Sequence, residues 1–376
     1  VKILVLTKRF NMGRDSQKDR HGRMFALPMA LRSLGHDVRV LASDYRPAKA
    51  NSTAPPPGPL PWHIAHMFRG RRPAPLHYLS TIHTYMDSWH PDLIWAGSDA
   101  LQVILGQRLA VKYGLPCVAD MKDNYEYFGL TRIPFVKAFF RRALKKVAGV
   151  TCVSSSLKAA TTRYIDSTSV AVVENGVNRD TFRRTDPTAE RQRLGFPGDT
   201  FLLGTAGALT SSRGIAALSK AFEQVATDFP NTALVVAGVR DQDWKPPKHG
   251  TYADLGIIDS GLVPSLYNAL DLGIICNLDN AFGRYCYPQK YNEMIACGLP
   301  IVAARVGLFD SENNVPGLVG SFHPGDADDL AKVLRSVLAD YPGRLAETAA
   351  ADWDDRARVL EQFLKSIVVT HWANHH

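Results

Sequence analysis

The chain has 376 residues, 45% of them hydrophobic and 21% charged, a composition that supplies two globular cores and excludes disordered, collagen-like and coiled-coil classes. No run approaches the roughly 20 apolar residues of a membrane-spanning helix. Cysteines 117, 152, 276, 286 and 297 lack CxxC spacing, so neither a disulfide framework nor a structural zinc site is expected. The net charge of +8 is uneven: residues 1–186 carry +14 and the remainder −6. A basic half suggests an anionic partner, whether nucleic acid, acidic lipid or a phosphorylated substrate.

The first elements alternate between strand and helix. Residues 2–7 form a buried strand run, too short for a signal peptide. A helix over 22–34 stops at Gly35, and Val38–Ala42 is the next strand. Residues 47–61, rich in Pro, Ala and Ser, read as a loop. Strands follow at Pro91–Ala96, Pro116–Ala119, Val150–Ser154 and Val170–Val173, with a helix over 99–113. A second series has strands at Phe201–Gly204, Ala233–Ala237, Thr251–Leu255, Leu272–Cys276 and Pro300–Ala303. Its helices fall near 214–228, 263–269, 289–297 and 326–339. The polar, Pro- and Gly-marked stretch 183–199 reads as a linker. Such βαβα alternation predicts two doubly wound α/β domains. Domains of this kind bind ligands at the C-terminal ends of their strands, so two that face each other make a cleft. The expected division falls between 1–185 and 186–350. The final Asn374-His375-His376 reads as a tag remnant and enters no metal argument.

The segment Pro288-Gln289-Lys290-Tyr291-Asn292-Glu293 opens a helix that Gly298 stops. Lys290 and Glu293, three apart, share one helical face near the N-terminus. A cation at a positive helix end suits a diphosphate, and a carboxylate one turn on suits a ribose. On spacing alone, the pair equally fits an ordinary surface ion pair.

This segment resembles the donor-site signature of retaining GT-B glycosyltransferases, specifically family 4. Further likenesses occur in the family's order: Val153–Lys158, Val172–Asn178 with Phe182, the loop from Gly204 to Gly214, Ala233–Gly238, Leu266–Asp271 and Trp353–Ala357. The resemblance covers nearly the whole chain, and it implies that a closing helix over 351–372 returns to the N-terminal domain. It implies a metal-independent transfer from a nucleotide diphosphate sugar, UDP- or GDP-linked. Gly207, Arg213, Lys290, Glu293, Asn280 and Tyr285 would be the donor-binding residues. Arg213 and Lys290 would neutralise the leaving diphosphate. The chain departs from the family at several points. Tyr285 stands where the first of two glutamates is usual, and Asn280 fills its region. Ala208 replaces a phosphate-clamp arginine, and Gln17–Arg23 replaces an N-terminal glycine pair.

The N-terminal candidates lie in two loops. Lys18, Arg20 and Arg23 put positive charge about Gly22, which permits close backbone approach to a ligand. Asp120-Met121-Lys122-Asp123-Asn124-Tyr125-Glu126 follows a buried strand, and the resemblance implies that Lys122 and Asp123 take the place of a His-Asp pair facing the sugar. Asp120, Asp123 and Glu126 are candidates for acceptor binding or a base. They equally fit a set of carboxylates balancing nearby arginines. Asp241-Gln242-Asp243 reads as a surface loop rather than a metal motif, and no catalytic metal is expected. Neither a Gly-x-Ser-x-Gly, a Walker loop nor a Gly-x-Gly-x-x-Gly after the first strand is present.

Residues 134–147 combine Phe139 with Arg141, Arg142, Lys145 and Lys146, a pattern that suits an anionic membrane surface or a basic helix packed on its own sheet. The expected function is sugar transfer to a glycan, lipid-linked or other anionic acceptor in cell-surface polysaccharide or glycoconjugate synthesis. The expected place is the cytoplasm, peripheral to the inner face of the membrane, with no nucleic-acid partner. A nucleotide-sugar epimerase and a non-catalytic nucleotide-sugar or membrane-binding protein are the alternatives.

Overall fold

A computed structural model describes the chain except residues 12–13, 21, 47–59, 70–71, 74, 311–314, 347–349 and 375–376. Most of the loop expected at 47–61, His21 of the basic cluster and the last two histidines lie outside the described residues. The chain divides into two compact units, Val1–Glu174 with Trp353–His376, and Asn175–Asp352.

The N-terminal unit is built on a seven-stranded parallel sheet. Its strands are β1 (Lys2–Lys8), β2 (Asp37–Asp44), β3 (Trp62–His66), β4 (Leu93–Gly97), β5 (Cys117–Met121), β6 (Gly149–Cys152) and β7 (Val170–Val172). Their order is β7-β6-β5-β4-β1-β2-β3. Ile3–Leu6 and Leu93–Ala96 are fully buried, because helices cover both faces of a doubly wound sheet. The order reverses between β1 and β4, and ligands of such sheets sit beyond that point at the strands' C-terminal ends.

Helices α1 (Arg23–Ser33), α2 (Pro75–Trp89), α3 (Ala100–Tyr113), α4 (Pro134–Leu144) and α5 (Ser155–Thr161) connect these strands. Helix α2 and strand β3 fall where the sequence reading assigned no element. Tyr78, Ile82, Met86 and Trp89 of α2 are buried at helical spacing, a stripe that the pattern did contain.

The C-terminal unit begins at Asn175, earlier than the expected boundary at 186. The stretch read as a linker contains helix α6 (Pro187–Leu194), packed on α8 (Val263–Ala269). Asp186 caps α6, and Arg191 is buried on it, donating to the Ala269 carbonyl at 3.0 Å and pairing with Asp271 at 2.5 Å. Polar composition there reflects a short helix held by one buried arginine, not a free connection.

Six parallel strands form the second sheet. They are β8 (Phe201–Ala206), β9 (Thr232–Ala237), β10 (Thr251–Asp254), β11 (Leu272–Ile275), β12 (Ile301–Ala304) and β13 (Leu318–Phe322), in the order β10-β9-β8-β11-β12-β13. Its order reverses between β8 and β11. Helices α7 (Ile215–Asp228), α9 (Gln289–Ala296) and α10 (Ala327–Ala339) complete this unit.

Helix α11 (Trp353–Ala373) belongs to the N-terminal unit. Its Ala357, Leu360 and Leu364 join Met24, Leu27 and Leu31 of α1 in one core. Glu361 accepts from buried His36 at 2.9 Å, and Arg356 pairs with Glu174 at 2.5 Å.

Candidate functional site

In the C-terminal unit the candidate residues gather at the reversal point. Strand β8 ends at Ala206, and Gly207 follows with φ 120°. A Cβ on Gly238, which follows β9, would fall 1.7 Å from the Gly207 carbonyl oxygen, so the two loops cross at bare backbone. The chain then makes a single 3-10 turn, Ser211–Arg213, before Gly214 opens α7.

That turn is held from two sides. Asp241 accepts from the Ser211 N–H at 2.7 Å and from its hydroxyl at 2.8 Å, and these bonds lower the carboxyl below its ordinary range. Asn280 donates to the Ser212 carbonyl at 3.1 Å and accepts from the N–H groups of Phe282 and Gly283. The Arg213 guanidinium lies 3.5 Å from the centre of the Phe282 ring. Asp241 is therefore more than loop surface, and the Asn280 side chain is occupied in shaping two turns rather than presented to a donor. Tyr285 continues the same turn, its N–H donating to Phe282 and its side chain half-buried.

Helix α9 starts after Pro288 and brings in Lys290. The Lys290 ammonium donates to Thr205 of β8 at 3.2 Å, and a Cβ on Gly207 would sit 3.5 Å from it. Burial lowers Lys290 to about 8, and the neighbouring charge of Arg213 acts in the same direction. Glu293, one turn on and half-buried, acts the other way on Lys290. Lys290, Arg213, Gly207 and Glu293 thus belong to one neighbourhood.

Residues that the spacing argument passed over fix the start of α9. Asn292 is 1% exposed and donates to the Asn175 carbonyl at 2.6 Å, while Gln289 donates to the Gly176 carbonyl at 2.8 Å. The side chain of Asn175 donates to the Tyr287 carbonyl at 3.1 Å. The Glu174-Asn175-Gly176 turn and the helix that carries Lys290 are therefore one hydrogen-bonded piece from Asn175 onward.

In the N-terminal unit the candidates separate into two groups. Asp120 is fully buried and accepts two bonds from Arg23, at 2.8 and 3.0 Å, and one from Thr151 at 2.7 Å. Arg23 also donates to the Val173 carbonyl at 2.7 Å. This pair ties α1, β5 and the end of β7 together beneath the surface, which corrects the acceptor-binding expectation for both residues. Glu126 is corrected likewise. Arg141 of α4 grips it at 2.8 and 2.9 Å, with Lys137 at 3.7 Å. Burial raises Glu126, but the hydrogen bonds from Arg141 and Tyr164 outweigh it and leave the carboxyl below its ordinary range. Arg141 is for the same reason not a free surface cation.

Lys122 and Asp123 remain at the end of β5. The Lys122 ammonium donates to Asn11 at 2.5 Å, and burial lowers its pKa, with the Lys8 charge adding to the effect and Asp123 opposing it. Asp99 caps α3 by accepting from Gln102 and is raised by burial, against the charges of Lys8 and Lys122. Before it stands Ser98 with φ 78°, a left-handed serine whose hydroxyl bonds that of Thr7. Such backbone strain costs about 1–3 kcal/mol and gathers at functional sites. Ser98 and Asp99 follow β4 at the reversal point, a position that could have singled them out in the sequence. Lys18, Arg20 and Gly22 are exposed just before α1. Gly22 has φ 84°, in the left-handed region that favours glycine, and a Cβ built on it would meet nothing within 4 Å.

On α4, Phe140 is buried against Tyr125, whereas Phe135 and Phe139 are 63% and 48% exposed. Arg142, Lys145 and Lys146 are exposed beside them. Among the described residues no helix is long and apolar enough to cross a membrane, and no cluster of three potential metal ligands occurs.

Comparison with known proteins agrees with this layout. Residues 24–181 match Glycosyltransferase Family 4, and residues 200–340 match Glycosyl transferases group 1. A D-inositol 3-phosphate glycosyltransferase of Stackebrandtia nassauensis is 30% identical over 56% of this chain and 50% of its own length. A lipopolysaccharide 1,2-N-acetylglucosaminetransferase of Salmonella typhimurium is 26% identical over 57% of this chain and 61% of its own. The chain thus spans about half to three-fifths of these curated relatives. The Anabaena protein Alr3699/HepE, solved with UDP and glucose, superposes with a TM-score of 0.70 at 18% identity, covering 97% of this chain and 99% of that one, a likeness of fold. The chain belongs to the GT-B glycosyltransferases, with a family 4 domain in its N-terminal unit and a group 1 domain in its C-terminal unit.

Proposed function

We propose that the chain transfers a sugar from a nucleoside diphosphate sugar, UDP- or GDP-linked, to a hydroxyl of a glycan or lipid-linked acceptor, with retention of configuration. The carrying observation is Lys290. Its ammonium is partly buried at the end of β8, where burial and the charge of Arg213 both disfavour it. A diphosphate placed there relieves both penalties, and the relief grows as the sugar leaves and negative charge collects on the phosphate. Glu293, one helical turn from Lys290, accepts from the ribose hydroxyls. Asp241 and Asn280 hold the turn that presents Arg213.

In this reading the acceptor oxygen bonds to the anomeric carbon as the bond to the phosphate oxygen breaks, on the same face. The acceptor proton passes to the departing phosphate. Lys122 and Asp123 orient the acceptor or the sugar, with Lys18 and Arg20 supplying positive charge for an anionic acceptor. The acceptors for which those relatives are named, an inositol phosphate and a lipopolysaccharide, are of this anionic kind. The +14 charge of residues 1–186 and the exposed aromatic and basic side chains of α4 favour work at the anionic cytoplasmic face of a membrane.

The test is incubation with UDP-glucose and GDP-mannose, with and without phosphorylated and lipid-linked acceptors, followed by product analysis. Acceptor-dependent release of nucleoside diphosphate supports the reading. Conversion of the donor to its epimer without an acceptor would favour an epimerase, and donor binding without turnover would favour a binding protein.

A further inference from the structure

Helices α3 and α4 pack side by side in the N-terminal unit and leave a cavity of about 160 Å³ between them. Ile104, Phe139 and Ala143 give it an apolar wall, and Arg108, Arg142 and Lys146 stand around it. All three cations are exposed, and none has an acidic partner among the described residues. The contrast with the neighbouring positions is sharp: Lys137 and Arg141 of the same helix share Glu126 as an acidic partner. The Arg108 guanidinium lies 5.7 Å from the Phe139 ring centre, so one cation already rests against the apolar wall. On the 3-10 turns before α4 and on its first turn, Tyr127, Leu130 and Phe135 are each about half exposed or more, at 48%, 52% and 63%.

Three like charges around an apolar hollow repel one another, and a bound anion removes that repulsion. An inorganic anion would meet the charges and leave the apolar wall wet. An anion joined to a few carbons satisfies both, and the half-exposed Phe139 ring in the wall suits the boundary of a lipid layer. The hollow has room for a head group and the carbons next to it, not for an acyl chain. We propose that this groove binds the phosphate head group of one anionic phospholipid, drawn from a membrane surface. The proposal rests on the membrane reading given above and sharpens it, from general attraction to a single site on α3 and α4.

The test uses dihexanoyl phosphatidylglycerol below its micelle concentration, titrated by calorimetry, beside sedimentation with phosphatidylcholine vesicles that contain or lack phosphatidylglycerol. An exposed ion pair of good geometry is worth about fivefold in affinity. Arg142→Gln with Lys146→Gln should therefore weaken saturable, one-to-one binding of the monomeric lipid by about twenty-five-fold, with the thermal melt unchanged. Phe135→Ser, outside the cavity, should weaken vesicle binding severalfold and leave monomer affinity within twofold. Failure of the monomeric lipid to saturate, with anionic vesicles still bound, overturns the site and leaves the membrane reading standing. If neither monomer nor anionic vesicle binds, both fall. Inorganic phosphate competing at the same concentration as the lipid would show a simple phosphate site and overturn the proposal.

Discussion

Replacing Lys290 by methionine separates what the ammonium costs the fold from what it gives the donor. Burial lowers this lysine from 10.5 to about 8, so the charged form is disfavoured by about 3 kcal/mol relative to water. Methionine removes that cost and also removes the bond to Thr205, itself worth about 1 kcal/mol. The variant should therefore be more stable than the natural chain at pH 7, by about 2 kcal/mol. The pH dependence has a definite sign. The folded value lies below the unfolded one, so between about 8 and 10.5 the unfolded chain holds more protons, and stability of the natural protein rises with pH across that window. Lys290→Met lacks that rise, so the natural protein, which keeps the bond to Thr205, overtakes the variant as pH nears 10.5. Donor binding moves the other way. A diphosphate raises the lysine's pKa, so binding takes up a proton above pH 8, and affinity falls by up to about tenfold per pH unit. The assays are denaturant unfolding from pH 7 to 10, and calorimetric titration of UDP-glucose or GDP-mannose in two buffers of different ionisation enthalpy. Natural-protein stability that is flat or falling across the window, or a methionine variant less stable at pH 7, would refute the picture of a desolvated cation waiting for an anion. Such a result would make Lys290 a structural strut to Thr205.

Glu293→Ala should lower donor affinity at least about tenfold with the fold intact, because hydrogen bonds to a charged group are worth about 1.5–3 kcal/mol; calorimetry with the same donors decides, and unchanged affinity removes the ribose role. Arg213→Ala should lower kcat on the order of 10²-fold, and by more than it raises donor KM, since its charge acts on a leaving group; steady-state rates check this, and a near-normal kcat would make Arg213 a surface cation on Phe282. Turnover should persist in EDTA; loss in chelator with recovery on adding magnesium or manganese would redirect attention to Asp241 and Asp243. Asp120→Asn should destabilise the N-terminal unit by about 3–5 kcal/mol, because it leaves Arg23 buried beside a neutral partner; a melt within one degree of the natural protein would show that the pair is dispensable.

The two-sheet architecture is legible in the chain alone, since strands covered on both faces must be unbroken apolar runs, as Ile3–Leu6, Leu93–Ala96 and Ile301–Ala304 are. So is the helix that carries Lys290 and Glu293, because a spacing of three puts both side chains on one face whatever surrounds them. Tertiary structure alone decided which charges were free. Arg23 lies 97 positions from Asp120, and Glu126 lies 15 from Arg141, so a run of charged residues looks the same whether it is solvated, paired or buried. Only the packing of helices and loops about the sheet brings such partners within hydrogen-bonding distance. That is why Asp120, Arg23 and Glu126 read as site residues and proved to be structural, and why 183–199 read as a linker. Asn175 and Asn292 show the converse. They are 117 positions apart, and neither carries a charge or a motif that marks it. Their role in setting the start of α9, and with it the position of Lys290, arises from a contact that no local pattern encodes.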